Sequence, residues 1–285
     1  MSPRERGAKG RTFLGKPLSP RGLFVIAGPC VLESTDLALE VASRMKALCA
    51  ERDLPYVFKS SYAKANRTRA ASYAGPGIDE GLRALAAVRE ELGVDLLTDV
   101  HCREEAKPAG EVVQILQVPA FLCRQTPLIE ACARACPTVN VKKGQFLAPE
   151  DMEEAVAKIR DVRADAEVLL TERGATFGYR NLVVDMRSVA ILRGFDALTV
   201  YDVTHSLQHP GAGGDRRFAR PLARAAVAAG AQGLFLETHP DPDRAKSDAA
   251  TQLPLGWIPD LLDELTALRR LVAAWEEEGP AGGTP

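Results

Sequence analysis

The pattern on which the fold prediction rests is clearest in LLTDVHCREEAKPAGEVVQILQV, the segment Leu96–Val118. Its two ends, Leu96–Val100 and Val112–Leu116, are short apolar runs of strand length, and Arg103–Ala109 between them has the composition of a helix. Polar residues stand where each strand is expected to end: Asp99, His101 and Gln117. The segment therefore predicts one β–α–β unit with polar side chains at the carboxyl ends of its strands.

The same alternation continues on both sides of this segment, as eight apolar runs separated by stretches rich in Ala, Leu, Glu and Arg. The predicted strands are Leu23–Ala27, Tyr56–Ser60, Leu96–Val100, Val112–Leu116, Val139–Val141, Val168–Leu170, Leu198–Val203 and Leu234–Leu236. The predicted helices are Leu37–Arg52, Gly81–Leu92, Arg103–Ala109, Leu128–Ala135, Glu150–Asp161, Ser188–Leu192, Pro221–Ala229 and Pro259–Trp275. Eight such units in 285 residues favour a closed (β/α)₈ barrel, the TIM barrel of the α/β class, over a doubly wound sheet.

The bulk composition sets the limits of this protein. We predict one catalytic barrel over residues 23–276, with a flexible basic tail at 1–22 and a flexible tail at 277–285. A net charge of -2 gives no general attraction to nucleic acid or anionic lipid, and no apolar run approaches the roughly 18 residues of a membrane span. The six cysteines lack the spacing of a disulfide framework, so we expect a cytoplasmic protein.

Closure of the barrel would bring the residues after strands seven, eight and one together, because strand eight pairs with strand one. Three candidate metal ligands follow these strands, and a fourth lies in the segment between strand eight and the last helix. They are Cys30, His205, Glu237 and Asp248. A thiolate, an imidazole and two carboxylates suit a divalent transition metal. The alternative is a buried cysteine beside unrelated loop acids.

The strands on the opposite arc, two to six, end in or are followed by cations. These are Lys59, Lys64, Arg67, Arg124, Lys142 and Arg173. Cations gathered in a concave rim indicate a polyanionic ligand, and phosphates are the natural candidates. The alternative is that they form ion pairs with Asp99, Glu172 or Asp185.

Eight strings between residues 26 and 255 resemble the 3-deoxy-manno-octulosonate-8-phosphate synthase family, and the likeness spans roughly residues 23 to 275. They are IAGPCVLES (26–34), FKSSYAKANRT (58–68), LLTDVH (96–101), QVPAFLCRQT (117–126), VNVKKGQFLAP (139–149), TERGATFGYRNLVVDMRS (171–188), YDVTHSLQ (201–208) and ETHPDPDRAKSDAATQLPL (237–255). The resemblance implies a homotetrameric barrel that condenses phosphoenolpyruvate with the aldose phosphate arabinose 5-phosphate and releases inorganic phosphate.

The resemblance also implies residue roles. Phosphoenolpyruvate would be bound by Lys59, Lys64, Gln117, Phe121, Arg124, Lys142 and Arg173. The sugar phosphate would be bound by Asn66, Arg67, Thr68, Asp99 and Ser247, and the catalytic residues would be His101, Asp99, Lys142 and His205. The family has a metal-dependent branch with Cys after strand one, so Cys30, His205, Glu237 and Asp248 would hold zinc, iron, manganese or cobalt.

Two departures from the family pattern fall on the acceptor side. The string SYAGPG (72–77) has Ala74 where the family has an arginine associated with the sugar phosphate, and Arg69 is a candidate replacement. The segment HSLQHPGAGGDRRFARP after strand seven is shorter than the family pattern. Two alternatives therefore stay open: the related synthase that uses erythrose 4-phosphate, and a catalytically silent phosphosugar-binding barrel.

Overall fold

The computed structural model describes residues 12–19, 21–65, 72–176, 181–209 and 213–278. Eight parallel strands form its central sheet: β1 (Phe24–Gly28), β2 (Tyr56–Lys59), β3 (Asp95–Asp99), β4 (Ile115–Val118), β5 (Thr138–Lys142), β6 (Glu167–Glu172), β7 (Leu198–Asp202) and β8 (Gly233–His239). Each strand pairs with the next in chain order, and β8 pairs with both β7 and β1. The sheet is closed, which confirms the predicted (β/α)₈ barrel.

The helices form the outer layer of the barrel. They are α1 (Thr35–Ala50), α2 (Ile78–Leu92), α3 (Arg103–Gly110), α4 (Thr126–Ala135), α5 (Glu153–Val162), α6 (Arg187–Arg193), α7 (Ala219–Ala228) and α8 (Ile258–Glu278). In α1, the Ser34 side chain caps the first turn by accepting from Leu37 N at 3.1 Å, and one apolar face from Ala38 to Cys49 is buried. Among the described residues, no helix combines the length and apolar character needed to cross a membrane.

The alternation of side chains along each strand divides the barrel interior into two levels. The lower level is an apolar cluster that includes Val57, Leu97, Ile115, Val200 and Phe235. Because side chains two positions apart share one face of a strand, the residue two positions after each of these also points inward. Those residues are Lys59, Asp99, Gln117, Asp202 and Glu237. The sequence thus places the polar level at the carboxyl ends of the strands.

A short hairpin, Thr12–Phe13 paired with Lys16–Pro17, covers the amino end of the barrel. The Phe13 ring stacks on the Phe24 ring with 4.0 Å between centroids, and Thr12 Oγ1 donates to Glu167 Oε1 at 2.5 Å. The expectation of a solvated tail over residues 1–22 is therefore wrong for this hairpin. Its apolar residues, Phe13 and Leu14, are too few for a periodicity argument to detect.

The fourth strand begins three residues later than predicted, at Ile115 instead of Val112. Val112 and Val113 instead close the end of α3, where the backbone N–H of each donates to Ala109 O at 3.0 Å. The apolar Val113 side chain is buried against the helix layer from a turn, and not from a strand. Two adjacent valines look like strand residues in the sequence, which explains the error.

Candidate active site

The predicted metal ligands lie together at the carboxyl end of the barrel. One donor atom each from Cys30, Glu237 and Asp248 lies within 4.8 Å of the others. Cys30 Sγ is 3.0 Å from Asp248 Oδ2 and 3.0 Å from Ser247 Oγ. Glu237 Oε2 is buried and has no hydrogen-bond partner among the described residues. Ser247, expected near the sugar, thus lies against this cluster.

His205 borders the same cluster and is oriented by a carboxylate. Its Nε2 atom lies 3.7 Å from Glu237 Oε1 and 3.8 Å from Asp248 Oδ2. Its Nδ1 atom lies 2.8 Å from Oδ2 of Asp202, and the His205 backbone N–H donates to Oδ1 of the same carboxylate at 2.9 Å. An ionised carboxylate only accepts, so Asp202 holds the ring with an Nδ1–H toward itself and turns Nε2 toward the cluster.

Burial acts to raise the pKa of both Cys30 and Glu237, but the neighbouring charges act differently on the two. Burial raises the pKa of the Cys30 thiol well above its usual range, and the Glu237 carboxylate raises it further. Burial also acts to raise the pKa of Glu237, but the positive charges led by Lys59 outweigh it and hold that pKa below its ordinary value. The Glu237 carboxylate is therefore ionised at neutral pH.

Two of the predicted phosphate-binding cations contact the metal-ligand cluster directly. Lys59 Nζ lies 2.9 Å from Glu237 Oε1 and donates to Cys30 O at 3.1 Å, while Lys64 Nζ lies 3.9 Å from the same Glu237 oxygen. The expectation that the cations and metal ligands occupy opposite arcs is therefore wrong for these two. The reason is topological, since β2 is the immediate neighbour of β1 and β1 pairs with β8.

Lys142 and Arg173 form the next part of the rim, and both are almost completely buried. Lys142 Nζ donates to Asp202 Oδ2 at 2.6 Å and lies 3.6 Å from the centroid of the Phe235 ring. Arg173 Nη2 donates to Gln208 Oε1 at 2.6 Å, while its Nη1 is buried with no hydrogen-bond partner in the described residues. Burial lowers the pKa of both side chains. A bound anion would relieve that cost.

Asp99, Gln117 and His101 lie on the β2–β4 side of the rim. Asp99 accepts hydrogen bonds from the Ser61 hydroxyl and the Gln117 amide. His101 lies at the mouth of the barrel, where its backbone N–H donates to Glu105 Oε2 at 2.7 Å and its Nδ1 is 3.5 Å from that oxygen. Asp99 is thus built into the barrel interior, whereas His101 is anchored from α3.

Phe121 and Arg124, two of the residues predicted to bind phosphoenolpyruvate, are not buried in this cluster. Both are exposed on the segment that follows β4. Asn66, Arg67, Thr68 and Arg69 lie outside the described residues. Ala74 is exposed, and its carbonyl accepts from the backbone N–H of Lys64 at 2.8 Å.

Sequence reasoning missed several polar residues of the site: Ser61, Glu105, Asn140, Asp202 as a partner of His205, and Gln208. Asn140 had a usable signal, because it stands two positions before Lys142 and so shares its inward face. Gln208 had none, since its contact with Arg173 joins the segments that follow β7 and β6. Such contacts depend on how the loops fold over the rim.

Comparison with known proteins gives consistent results. A sequence model described as the DAHP synthetase I family matches residues 19–273. Three relatives are each named 2-dehydro-3-deoxyphosphooctonate aldolase. The protein from Syntrophobacter fumaroxidans is 52% identical over 264 residues, covering 91% of each chain. Those from Paraburkholderia xenovorans and Desulfotalea psychrophila are 50% and 49% identical, covering 88% and 89% of this chain and 92% of each relative.

Both the length of these matches and the agreement of the barrel with the predicted fold lead to one assignment. The family match spans nearly the whole barrel, from the segment before β1 into α8. The chain belongs to the DAHP synthetase I family, alongside relatives named 2-dehydro-3-deoxyphosphooctonate aldolase.

Proposed function

We propose that this protein is a transferase that condenses phosphoenolpyruvate with D-arabinose 5-phosphate and water. The products are 3-deoxy-D-manno-octulosonate 8-phosphate and inorganic phosphate. The observation that carries the proposal is a pair of buried cations, Lys142 and Arg173, and the Nη1 donor of Arg173 has no partner within the described parts of the chain. The names of the half-identical relatives support the same product class.

Phosphoenolpyruvate carries a phosphate and a carboxylate, so its site needs several fixed cations. Arg173 offers Nη1 to one of these groups while Gln208 holds its Nη2. Lys142 provides a second charge, held in place by Asp202. Lys59 and Lys64 extend the positive surface toward Glu237. Fixing the enol before the sugar arrives converts a two-substrate reaction into an oriented encounter.

The reaction joins carbon 3 of the enol to the aldehyde carbon of the sugar. Carbon 2 of the enol then gains cationic character, and water adds to it to give a hemiketal phosphate. Cleavage of the carbon–oxygen bond to phosphate leaves the keto group of the product. Of the two protons of the water, one ends on the new sugar hydroxyl and the other on the released phosphate.

We assign proton transfer in this reaction to His101, because His205 is assigned to metal binding. The Nδ1 of His205 is bonded to Asp202 and its Nε2 points to the metal-ligand cluster, so we assign His205 to metal binding and not to proton transfer. Glu105 anchors His101 at the mouth of the barrel. Asp99 faces the sugar and orients it.

A divalent metal ion completes the site, and the residues fit one. Cys30, His205, Glu237 and Asp248 are ligand types that zinc, iron, manganese and cobalt accept, and the buried Glu237 Oε2 has no partner among the described residues. The positive charges of Lys64 and Lys59 oppose the rise in pKa that burial imposes on the Cys30 thiol. A bound cation would oppose that rise further. When bound, the ion orients or acidifies water, or polarises the aldehyde.

The test is phosphate release from phosphoenolpyruvate with each aldose phosphate in turn. We expect turnover with arabinose 5-phosphate. Preference for erythrose 4-phosphate would identify the related heptulosonate synthase, and binding of both ligands without phosphate release would identify a silent phosphosugar-binding barrel. The same preparation tests the proposed homotetramer by light scattering, and cell fractionation tests the proposed cytoplasmic location.

A further inference from the structure

Four buried side chains at the carboxyl ends of β3 to β6 form one continuous chain of hydrogen bonds. Thr171 Oγ1 donates to Asn140 Oδ1 at 2.7 Å, and Asn140 Nδ2 donates to Gln117 Oε1 at 2.7 Å. Gln117 Nε2 then donates to Asp99 Oδ1. None of the four side chains is more than 6% exposed. Each strand contributes one member, so the chain follows the curvature of the barrel.

The direction of every hydrogen bond in this chain follows from its last member. The Asp99 carboxylate only accepts, so Gln117 must turn its NH₂ group toward Asp99 and its carbonyl toward Asn140. Asn140 must then present its own NH₂ group to Gln117 and its carbonyl to the neighbouring Thr171 hydroxyl. Both ends of the Gln117 amide form hydrogen bonds within the chain. This polar side chain can therefore be buried, with only 1% exposed, without an unsatisfied polar atom.

The Thr171 hydroxyl is the donor that begins the chain. Without it, Asn140 Oδ1 becomes a buried acceptor that has lost its donor, and the Asn140 amide loses the contact that sets its orientation. A flipped Asn140 would set carbonyl against carbonyl at Gln117 and disturb the charge-assisted bond to Asp99. In a water-excluded barrel such bonds reinforce one another, so the loss is felt along the chain.

We propose that Asn140 and Thr171 are positioning residues that hold the Asp99 carboxylate, through Gln117, in the orientation that receives the aldose phosphate. The inference rests on the proposed function, which assigns Asp99 to the acceptor side. Neither residue touches the reacting atoms in this scheme. Lys142 and Arg173, which bind phosphoenolpyruvate, have their own partners in Asp202 and Gln208. Gln117, which the resemblance assigns to phosphoenolpyruvate, has both ends of its amide engaged within the chain, so little of it is left to contact that substrate. The larger effect of the chain therefore falls on the aldose phosphate.

The test compares Thr171→Val, which keeps the shape and loses the hydroxyl, with Thr171→Ser, which keeps the hydroxyl. The matched control is Thr199→Val on β7, because Thr199 Oγ1 is buried with no hydrogen-bond partner in the described part of the chain. We expect Thr171→Val to raise the KM for arabinose 5-phosphate at least fivefold and to change the KM for phosphoenolpyruvate less than twofold. Thr171→Ser and Thr199→Val should both stay within twofold of the unmodified enzyme.

The choice of KM separates positioning from a general loss of folded protein. A smaller active fraction lowers the apparent kcat but leaves both KM values unchanged. Asn140→Asp supplies an independent variant, since a carboxylate accepts from Thr171 but offers no proton to Gln117. It should raise the same KM at least as much as Thr171→Val.

Two results would overturn the inference alone. One is an unchanged KM for the sugar phosphate in Thr171→Val and Asn140→Asp, and the other is equal impairment in Thr171→Val and Thr171→Ser. Absence of turnover by the unmodified enzyme with arabinose 5-phosphate would instead overturn the proposed function, and the inference with it.

Discussion

Replacing Lys143 by Met would remove a buried charge that ties two loops of the barrel rim together. Lys143 Nζ lies 3.3 Å from Gly144 O, 3.4 Å from Leu147 O and 3.5 Å from Gly174 O. It is also 3.6 Å from Glu172 Oε1, and the two side chains are 2% and 1% exposed. Lys143 thus fixes the loop after β5 to the start of the loop after β6.

The expected cost follows from what the substitution leaves behind. The Glu172 carboxylate keeps the bond from Gly174 N at 2.6 Å, but it loses the ion pair with Lys143, and its Oε2 has no partner among the described residues. Removing one member of a buried ion pair costs about 3–5 kcal/mol. In the double variant Lys143→Met with Glu172→Gln, no charge is left unpaired, and the loss should fall to about 1–2 kcal/mol.

The assay is the free energy of unfolding, measured by urea denaturation, of Lys143→Met, of the double variant and of a control variant. Lys46→Met serves as the control, because Lys46 is exposed and donates to a single carbonyl, Leu92 O, at 2.6 Å. That change should cost less than about 1 kcal/mol. The reasoning is refuted if Lys143→Met costs no more than Lys46→Met, or if the double variant is less stable than Lys143→Met alone.

Four further predictions follow from the same structure. Arg173→Ala should lower kcat/KM at least tenfold, about 1.4 kcal/mol, and near-normal kinetics would remove it from the phosphoenolpyruvate site. Treatment with a chelator should abolish activity and a divalent ion should restore it; full turnover by demonstrably metal-free protein would contradict the metal assignment. Gly233→Ala should lower the melting temperature, because the new Cβ would lie 2.2 Å from Cζ of Phe24, whereas Gly256→Ala has no atom within 4 Å to meet and should have no effect. Burial acts to raise the pKa of Asp99, but the positive charges of Lys59 and its neighbours outweigh burial and lower that pKa. The ionised carboxylate therefore stabilises the fold at pH values above its ordinary pKa of about 3.9. This contribution is lost as the pH falls further and the carboxylate is protonated in the folded protein. Asp99→Asn should therefore flatten the acid side of the stability profile between about pH 5 and 2, and an unchanged slope there would contradict this.

The barrel and most of its polar rim were predictable because they depend on local periodicity. A strand of alternating character shows which residues face inward, so Lys59, Asp99 and Glu237 could be assigned to the rim from their positions alone. Closure of the sheet then placed Cys30 beside Glu237, since β1 and β8 pair in register. These features follow from the number of strand–helix units and from the inward and outward alternation of side chains along each strand, and both are visible in the sequence.

Contacts between different loops were not predictable in the same way. The bond between Arg173 and Gln208 depends on the path of the chain over the rim. The inward position of Asn140 can be read from the strand pattern, but an amide carries no distinctive chemistry, so its role is revealed only by its neighbours in space. The hairpin at residues 12–17 escaped notice because only two adjacent apolar residues, Phe13 and Leu14, anchor it among the described contacts.

The pairing of Phe24 with Gly233 sets a condition on how the protein is made. The two residues are about 200 positions apart, and ribosomes add about 5–20 residues per second, so β1 waits roughly 10–40 s for its second neighbour. During that time the outer edge of β1 has unpaired backbone groups in a strand that is fully buried once the sheet closes. Nascent chains of this protein are therefore expected to be most prone to aggregation just before β8 leaves the ribosome.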